Sequence, residues 1–175
     1  MGNVTIPKPV KLIITFIFKE EDTFLKIKPL LMRRFGKVDF ESPFLEFTHT
    51  DYYAEEFGVG LKRKILSFKK NIPAQTLADI KLYTNKLELK FSSANKRKIN
   101  IDPGYLDEAK LVLASSKDFY HRIYINKGIY AEITLFYRGR NFRGWEWSYP
   151  DYTSSEYLGY FNHIRELYRK QKNAT

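Results

Sequence analysis

Cysteine is absent from this 175-residue sequence. Disulfide bonds, thiolate nucleophiles and thiolate metal sites are therefore excluded. The only histidines, His49, His121 and His163, are too scattered to form a common zinc-binding motif. The sequence also lacks the phosphate loops G-x-x-x-x-G-K-[ST] and G-x-G-x-x-G, the zinc motif H-E-x-x-H and the nucleophile motif G-x-S-x-G. No familiar catalytic signature is left to indicate a reaction.

Long hydrophobic runs are missing as well. The longest apolar run, residues 12–18, is interrupted by Thr15 and is far too short to cross a bilayer. Residues 1–9 lack the apolar segment of a signal peptide. We therefore expect a soluble, cytoplasmic protein with no membrane partner. The length and the 43% hydrophobic content fit one domain spanning residues 1–175.

Positive charge is concentrated in one part of the chain. Of the net charge of +10, most comes from residues 61–100, which hold 11 Lys and Arg against 2 Asp and Glu. This stretch begins with Lys62, Arg63 and Lys64, a cluster of the kind that attracts the phosphate backbone of nucleic acids. These three residues are our candidate nucleic-acid-binding site. The alternative is a solvated basic face that binds nothing.

The apolar pattern predicts an α+β fold. Four segments have the composition of strands, namely residues 11–19, 44–49, 61–69 and 98–102. Helical stripes begin near residues 21 and 75, and a strand at residues 110–115, a hairpin at residues 121–137 and a helix capped by Thr153 follow. We expect a ferredoxin-like β-α-β-β-α-β core extended by that strand, the β-hairpin and the C-terminal helix. The result would be one mainly antiparallel sheet with helices packed on it.

Three local patterns carry specific expectations. Residues 86–91 alternate as in a strand, but we favour continuation of the second helix. Asp102-Pro103-Gly104 predicts a tight turn at the end of a strand. Pro29 should either kink the first helix or delay its start.

The hairpin predicts which side chains share a face. With a three-residue turn at residues 126–128, Arg122 lies opposite Glu132, and His121 points to the other, mostly apolar face. Two interpretations remain open. The pair is either a solvated cross-strand ion pair, or a pocket floor in which Glu132 holds the arginine towards an anion.

Candidate chemical residues cluster in the second half of the chain. Asp102, Asp118, His121 and Glu132 are the candidate catalytic residues, because carboxylates and imidazoles act as general acids and bases. Candidate ligand-binding residues are basic side chains suited to phosphate and tyrosines suited to stacking, namely Arg97, Tyr105, Lys117, Arg122, Tyr124 and Tyr149. Structural roles are the alternative for several of them: Asp102 could cap its turn and His121 could be a satisfied core histidine. No cofactor and no dedicated metal site is identified.

Six segments of the sequence are similar to one known family. They are TDYYAEEFG (residues 50–58), TNKLE (84–88), NIDPGYL (100–106), KLVLASSKD (110–118), HRIYINKGIYAEITL (121–135) and SYPDY (148–152). On these segments the chain resembles the domain of unknown function 4416 family, from Lys11 to about Tyr168. The family comprises small prokaryotic proteins with no established activity, so the resemblance implies a single domain and no mechanism.

The segments that carry this resemblance are rich in polar residues. Segments that only filled a core would be mainly apolar, so we expect several of these polar side chains to meet in one cleft. They are Asp51, Tyr52, Tyr53, Glu55, Asn85, Glu88, Asn100, Asp102, Lys117, Asp118, Arg122, Glu132 and Asp151.

Three functions are compatible with the sequence. We favour a binding protein for a phosphate-bearing ligand, either a nucleotide or an RNA. The second is an enzyme acting on a phosphoester, with Asp102, Asp118 and Glu132 holding a hard ion such as Mg²⁺ and Arg122 clamping the substrate. The third is an interaction module for an acidic partner. A cleft that joins acids to Arg122 would favour the enzyme, and a continuous basic surface would favour the other two.

Overall fold

A computed structural model describes residues 2–47, 57–93 and 96–173. The strands are β1 (Lys11–Phe18), β2 (Val38–Glu41), β3 (Leu45–Phe47), β4 (Leu61–Phe68), β5 (Ile99–Leu106), β6 (Lys110–Ser115), β7 (Ile123–Asn126), β8 (Ile129–Arg138) and β9 (Asn141–Gly144). The helices in these ranges are α1 (Glu21–Phe35), α2 (Leu77–Lys90) and α3 (Ser155–Asn173), with short 3-10 turns at Ala74–Thr76 and Pro150–Thr153. The predicted α+β fold is confirmed.

The strands form one antiparallel sheet in the order β2-β4-β1-β5-β6-β8-β7, with β3 also paired to β4 and β9 to β8. The first four strands of this order, together with α1 and α2, have the arrangement of a ferredoxin-like unit. Strands β6, β8 and β7 extend the sheet beyond β5, as the sequence predicts. The outer strand of the ferredoxin-like unit is β2, however, whereas the sequence analysis expected residues 44–49 there; of these, β3 forms only a short second pairing with β4.

Helices cover both faces of the sheet. Strand β1 is buried along its whole length, and its side chains alternate between the two faces. Leu12, Ile14 and Phe16 pack with α1 and α2, whereas Ile13 packs with α3 on the opposite face. None of the helices in the described parts of the chain is long and apolar enough to span a membrane.

Both helices of the ferredoxin-like unit run as continuous segments. Helix α1 begins at Glu21 and passes through Pro29, so a delayed start is not observed. Pro29 lies on the exposed side, while Phe24 and Leu31 anchor the helix in the core. Helix α2 continues to Lys90, which confirms the helical interpretation of its last turns.

The predicted turn at Asp102-Pro103-Gly104 is wrong, because these residues lie inside β5. Along its whole length β5 pairs with β1, but it pairs with β6 only from Gly104 to Leu106. Proline lacks an N–H, and Pro103 stands where the ladder with β6 has ended. A Cβ on Gly104 would lie 2.3 Å from the Val112 carbonyl oxygen, so glycine allows the two backbones to approach closely.

Replacing Gly104 with alanine should therefore destabilise the junction of β5 and β6. The clash is with backbone, which cannot rotate away, and we expect the free energy of unfolding to fall by about 1–3 kcal/mol in urea denaturation. Gly159→Ala is the matched control, because a Cβ at this position of α3 meets nothing within 4 Å. An equal loss in both variants would contradict the close approach.

The turn of the hairpin contains two residues rather than the three that were predicted. Residues 127–128 have positive φ angles of 53° and 74°, which is typical of a two-residue type I′ turn. Asn126 rather than Ile125 pairs with Ile129. A register shift next to this pair restores the predicted pairing of Tyr124 with Tyr130.

Candidate functional site

A cleft of about 740 Å³ opens where β5 and β6 separate. The part of β5 before Gly104 has no partner on its β6 side, and the end of β6 has none on its β5 side. Helix α2 lines one side of this gap, and the loop at residues 147–152 lines another. The Pro103–Gly104 step thus decides where the sheet closes and where it leaves space.

The cleft collects most of the polar residues from the segments that resemble the family. Of the thirteen expected to converge, four lie outside the described residues: Asp51, Tyr52, Tyr53 and Glu55. Eight of the other nine line the cleft, namely Asn85, Glu88, Asn100, Asp102, Lys117, Arg122, Glu132 and Asp151. The exception is Asp118, which is exposed on the turn after β6.

Glu132 is the centre of a hydrogen-bonded group in one wall of the cleft. Its side chain is 2% exposed. One carboxylate oxygen accepts a hydrogen bond from Arg122 Nε at 2.7 Å and lies 3.1 Å from His121 Nε2. The other oxygen accepts a hydrogen bond from the Thr134 hydroxyl at 3.3 Å. The predicted meeting of Arg122 and Glu132 is therefore confirmed, in a buried rather than a solvated setting.

Arg122 is fixed by several acceptors besides Glu132. Nη1 donates to the Ser115 hydroxyl at 3.0 Å and to the Lys117 carbonyl at 3.1 Å, and Nη2 donates to the Tyr149 hydroxyl at 3.3 Å. Burial alone would lower the pKa of Arg122, but the hydrogen bond and charge of Glu132 raise it. Burial, and then the charge of Glu132, raise the pKa of Tyr149. The wall thus presents a charged guanidinium beside a neutral phenol.

His121 lies beside Ile123 and Ile133, with which the predicted apolar face groups it, but it is not a satisfied core histidine, because it also lines the cleft, where its Nε2 reaches Glu132. The residue lies in the turn before β7, where the alternation of a strand does not apply. Its ring stacks on Trp147 with centroids 5.4 Å apart and an interplanar angle of 9°. Because Nε2 faces the Glu132 carboxylate, Nδ1 is left buried, and it has no hydrogen-bond partner in the described parts of the chain.

The opposite wall is built by α2 and β5. Lys81 Nζ donates to the Asp102 carboxylate at 3.1 Å and to a backbone carbonyl of β5 at 2.9 Å, and Asn100 also donates to Asp102. Arg97 is 3.0 Å from the carboxylate of Glu88. Burial raises the pKa of Glu88, although nearby Lys81 opposes the shift. The Lys81–Asp102 pair joins α2 to β5, and Glu88 makes a second connection by accepting the Ile101 N–H.

Lys81 is a cleft residue that the sequence analysis missed. A signal for it was present. Lys81 follows Ile80 on the buried stripe of α2 and lies four residues after Leu77, where a charged side chain needs a partner.

Arg63 forms the floor of the cleft with Asp151. The two side chains are 4% and 2% exposed, and their nearest charged atoms are 2.7 Å apart. Burial would lower the pKa of Arg63, but Tyr152 and Asp151 raise it and keep the guanidinium charged. The Tyr152 hydroxyl completes the floor by a 2.8 Å hydrogen bond with the Thr15 hydroxyl.

The basic cluster at residues 62–64 does not form one positive surface. Strand alternation sends Arg63 to the cleft floor, while Lys64 is buried on the other face, 3.2 Å from Glu41 and 4.0 Å from the centre of the Phe44 ring. Lys62 is paired with Glu21. Two of the three residues predicted to contact nucleic acid are thus turned inward and paired.

The remaining candidates divide between the cleft and its surroundings. Arg97, Lys117 and Tyr149 line the cleft. Tyr105 lines a neighbouring hollow instead. Tyr124 is 62% exposed and packs edge-on against Tyr130. Of these three tyrosines, Tyr149 is the one that lines the cleft.

The predicted magnesium ligands are not gathered into one site. Asp118 is outside the cleft lining, and Asp102 and Glu132 are each paired with a cation in different walls. Within residues 2–47, 57–93 and 96–173, no three carboxylate or imidazole side chains lie close enough to hold one metal ion.

The sequence of residues 8–168 matches the family described as Domain of unknown function (DUF4416). The chain belongs to this family. The match to DUF4416 spans both halves of the sheet and all the described residues that line the cleft. Searches among curated proteins and among solved structures found no match. Membership of DUF4416 thus confirms the resemblance and leaves function to be inferred from the cleft.

Proposed function

We propose that the cleft binds the phosphate group of a small molecule such as a nucleotide. The observation that carries this proposal is the fixed position of Arg122. Four of its five N–H donors are used by Glu132, Ser115, the Lys117 carbonyl and Tyr149, which leaves one Nη2 donor for an incoming ligand. An arginine held in place before binding loses little entropy when it contacts an anion.

The charge of the lining favours an anionic ligand. Five cationic side chains line the cleft, namely Arg63, Lys81, Arg97, Lys117 and Arg122. Among the described residues, four acidic side chains line it, namely Glu88, Asp102, Glu132 and Asp151. Each of these acids is paired with a cation. A metal ion would have to break such a pair to reach a carboxylate, whereas an anion can contact the cations while the pairs stay in place.

The size and the aromatic residues of the cleft support a small ligand. Its volume of about 740 Å³ falls within the usual range for small-molecule sites. Tyr149 and Phe119, which are 45% and 56% exposed, offer ring faces at the lining.

The inward positions of Arg63 and Lys64 argue against the backbone of an RNA as the ligand. The pairing of the cleft's acids with cations also favours a binding protein over a metal-dependent phosphoester enzyme, although the cleft does join acids to Arg122. An acidic protein partner remains a prediction without a specific contact to support it.

Lys117→Ala tests the proposal. We expect isothermal titration calorimetry with inorganic pyrophosphate and with adenosine monophosphate to show affinity for at least one, and the variant to weaken it about tenfold through loss of a charge-assisted contact. Lys127→Ala, on the hairpin turn outside the cleft lining, is the matched control and should bind as the unchanged protein does. Equal affinities in the two variants, or no binding of either compound at millimolar concentration, would overturn the proposal.

A further inference from the structure

A second hollow of about 510 Å³ adjoins the cleft. It lies between the start of α2 and strands β6, β7 and β8. Three of the residues around it are alanines, Ala74, Ala78 and Ala131, where longer side chains would fill the space. Val112, Ile123 and Ile133 supply aliphatic surface. The hollow exists because short side chains meet between the helix and the sheet.

The hollow and the cleft share one wall. His121, Glu132 and Trp147 line both spaces. Glu132 and His121 belong to the hydrogen-bonded group around Arg122, and the His121 ring stacks on Trp147, which also lines the hollow with the aliphatic side chains. A molecule lying across this wall would have its anionic end beside Arg122 and its other end among apolar side chains.

Two of the apolar side chains that line the hollow are unusually exposed to solvent. Ile123 and Ile133 are 69% and 42% exposed. Exposed apolar surface of this kind marks a binding site when it lies in a concave, continuous patch.

Several of the polar groups at the lining are already bonded within the protein: Lys110 to Asp107, Trp147 Nε1 to a backbone carbonyl, and His121 Nε2 to Glu132. Gln75 and Asn126 are exposed to solvent, and Tyr105 completes the polar part of the lining. A nucleobase needs hydrogen-bond partners along its edge, so this lining suits an apolar group better.

We propose that the ligand is amphipathic: a phosphate ester whose organic part is apolar, with the phosphate in the cleft and the organic part in the second hollow. This inference rests on the proposed phosphate site and adds the chemical class of the group attached to the phosphate. The hollow supplies affinity by removing alkyl surface from water, and Arg122 and Lys117 fix the position of the phosphate.

The test compares two phosphate monoesters that differ only in their alkyl chain. We expect hexyl phosphate to bind at least about tenfold more tightly than methyl phosphate in isothermal titration calorimetry, because several methylene groups are buried. Ile123→Asn should abolish most of that difference while leaving the affinity for methyl phosphate unchanged. Leu89→Asn is the matched control, since Leu89 is also 69% exposed but lines neither space.

A second variant fills the hollow instead of changing its polarity. Ala74 is half-buried at its edge, so Ala74→Leu adds bulk without entering the core, and it should weaken hexyl phosphate but not methyl phosphate. Equal binding of the two esters would overturn this inference and leave the phosphate site standing. If neither ester nor pyrophosphate bound to the protein, the proposed function itself would be overturned. Tighter binding of hexanol than of hexyl phosphate, or a preference for adenosine monophosphate that depends on Ile123, would overturn the amphipathic ligand.

Discussion

Replacing Arg63 with alanine should lower the free energy of unfolding by about 3–5 kcal/mol, because the substitution leaves a buried carboxylate without its counter-ion. Asp151 is 2% exposed and its nearest cationic atom is Arg63 Nη2 at 2.7 Å. The guanidinium also lies over the rings of Phe47 and Tyr152, at 4.8 Å and 5.2 Å from their centres. Equilibrium denaturation in urea measures the loss.

Two further variants separate the lost ion pair from the lost packing. Lys62→Ala removes the neighbouring cation of β4, whose pair with Glu21 is about one-third exposed, and should cost no more than about 1 kcal/mol. The double variant Arg63→Met with Asp151→Leu should recover much of the stability, since apolar groups of similar volume often replace a buried ion pair without loss. A double variant as unstable as Arg63→Ala would mean that the packing of the guanidinium, rather than the unpaired charge of Asp151, dominates.

Replacing Glu132 with glutamine should cost about 2–3 kcal/mol of unfolding free energy and also weaken phosphate binding. The amide keeps the volume of the side chain but removes the negative charge that pairs with Arg122. Arg122 Nε then has at best a neutral amide oxygen as acceptor in place of a carboxylate, so its orientation in the cleft is held more weakly. Calorimetry with pyrophosphate and urea denaturation of the same preparation measure both effects.

Glu166→Gln is the control for this substitution. Glu166 is half-exposed on α3 and pairs with Arg165 and Arg169, so its loss should change stability by less than about 0.5 kcal/mol. If Glu132→Gln reduced stability but bound pyrophosphate as tightly as before, Glu132 would be a structural residue only. If it changed neither property, the central role of Glu132 in the wall would be wrong.

The sequence was most informative where local pattern and tertiary packing agree. Among the described residues, apolar periodicity predicted seven of the nine strands and the three long helices in their order, but it missed the short strands β2 and β9. The predicted pairing of Tyr124 with Tyr130 is observed because a register shift compensates for the shorter turn. The composition of the family segments also predicted a cleft, since polar side chains repeated in otherwise ordinary strands have little to do in a core. Arg122 and Glu132 could be placed together because both belong to one hairpin.

The sequence was misleading where a residue's role depends on a distant neighbour. Asp102-Pro103-Gly104 has the composition of a turn, yet it lies in a strand because β1 pairs with all of β5, and its glycine is needed because the Val112 carbonyl and Leu113 lie too close to leave room for a Cβ. The charges at residues 62–64 suggested one surface, but only the position of β4 between β1 and β2 shows that Arg63 and Lys64 are both buried. Lys81 was missed because its partner, Asp102, comes from another element.

The short ladder between β5 and β6 has a mechanical consequence for the cleft. In the described parts of the chain, three residue pairs join the half-sheet β2-β4-β1-β5 to the half-sheet β6-β8-β7. The cleft lies beyond the end of that ladder, where no backbone hydrogen bonds set the distance between the two strands. Helix α2 bridges the gap on one face by its contacts with β5, β6 and β8, and an apolar cluster that includes Ile13, Leu113 and Phe161 joins the two halves on the other face. The width of the opening between Asp102 and Ser115 is therefore set by side-chain packing of the helices, so a substitution far from the cleft lining can alter it.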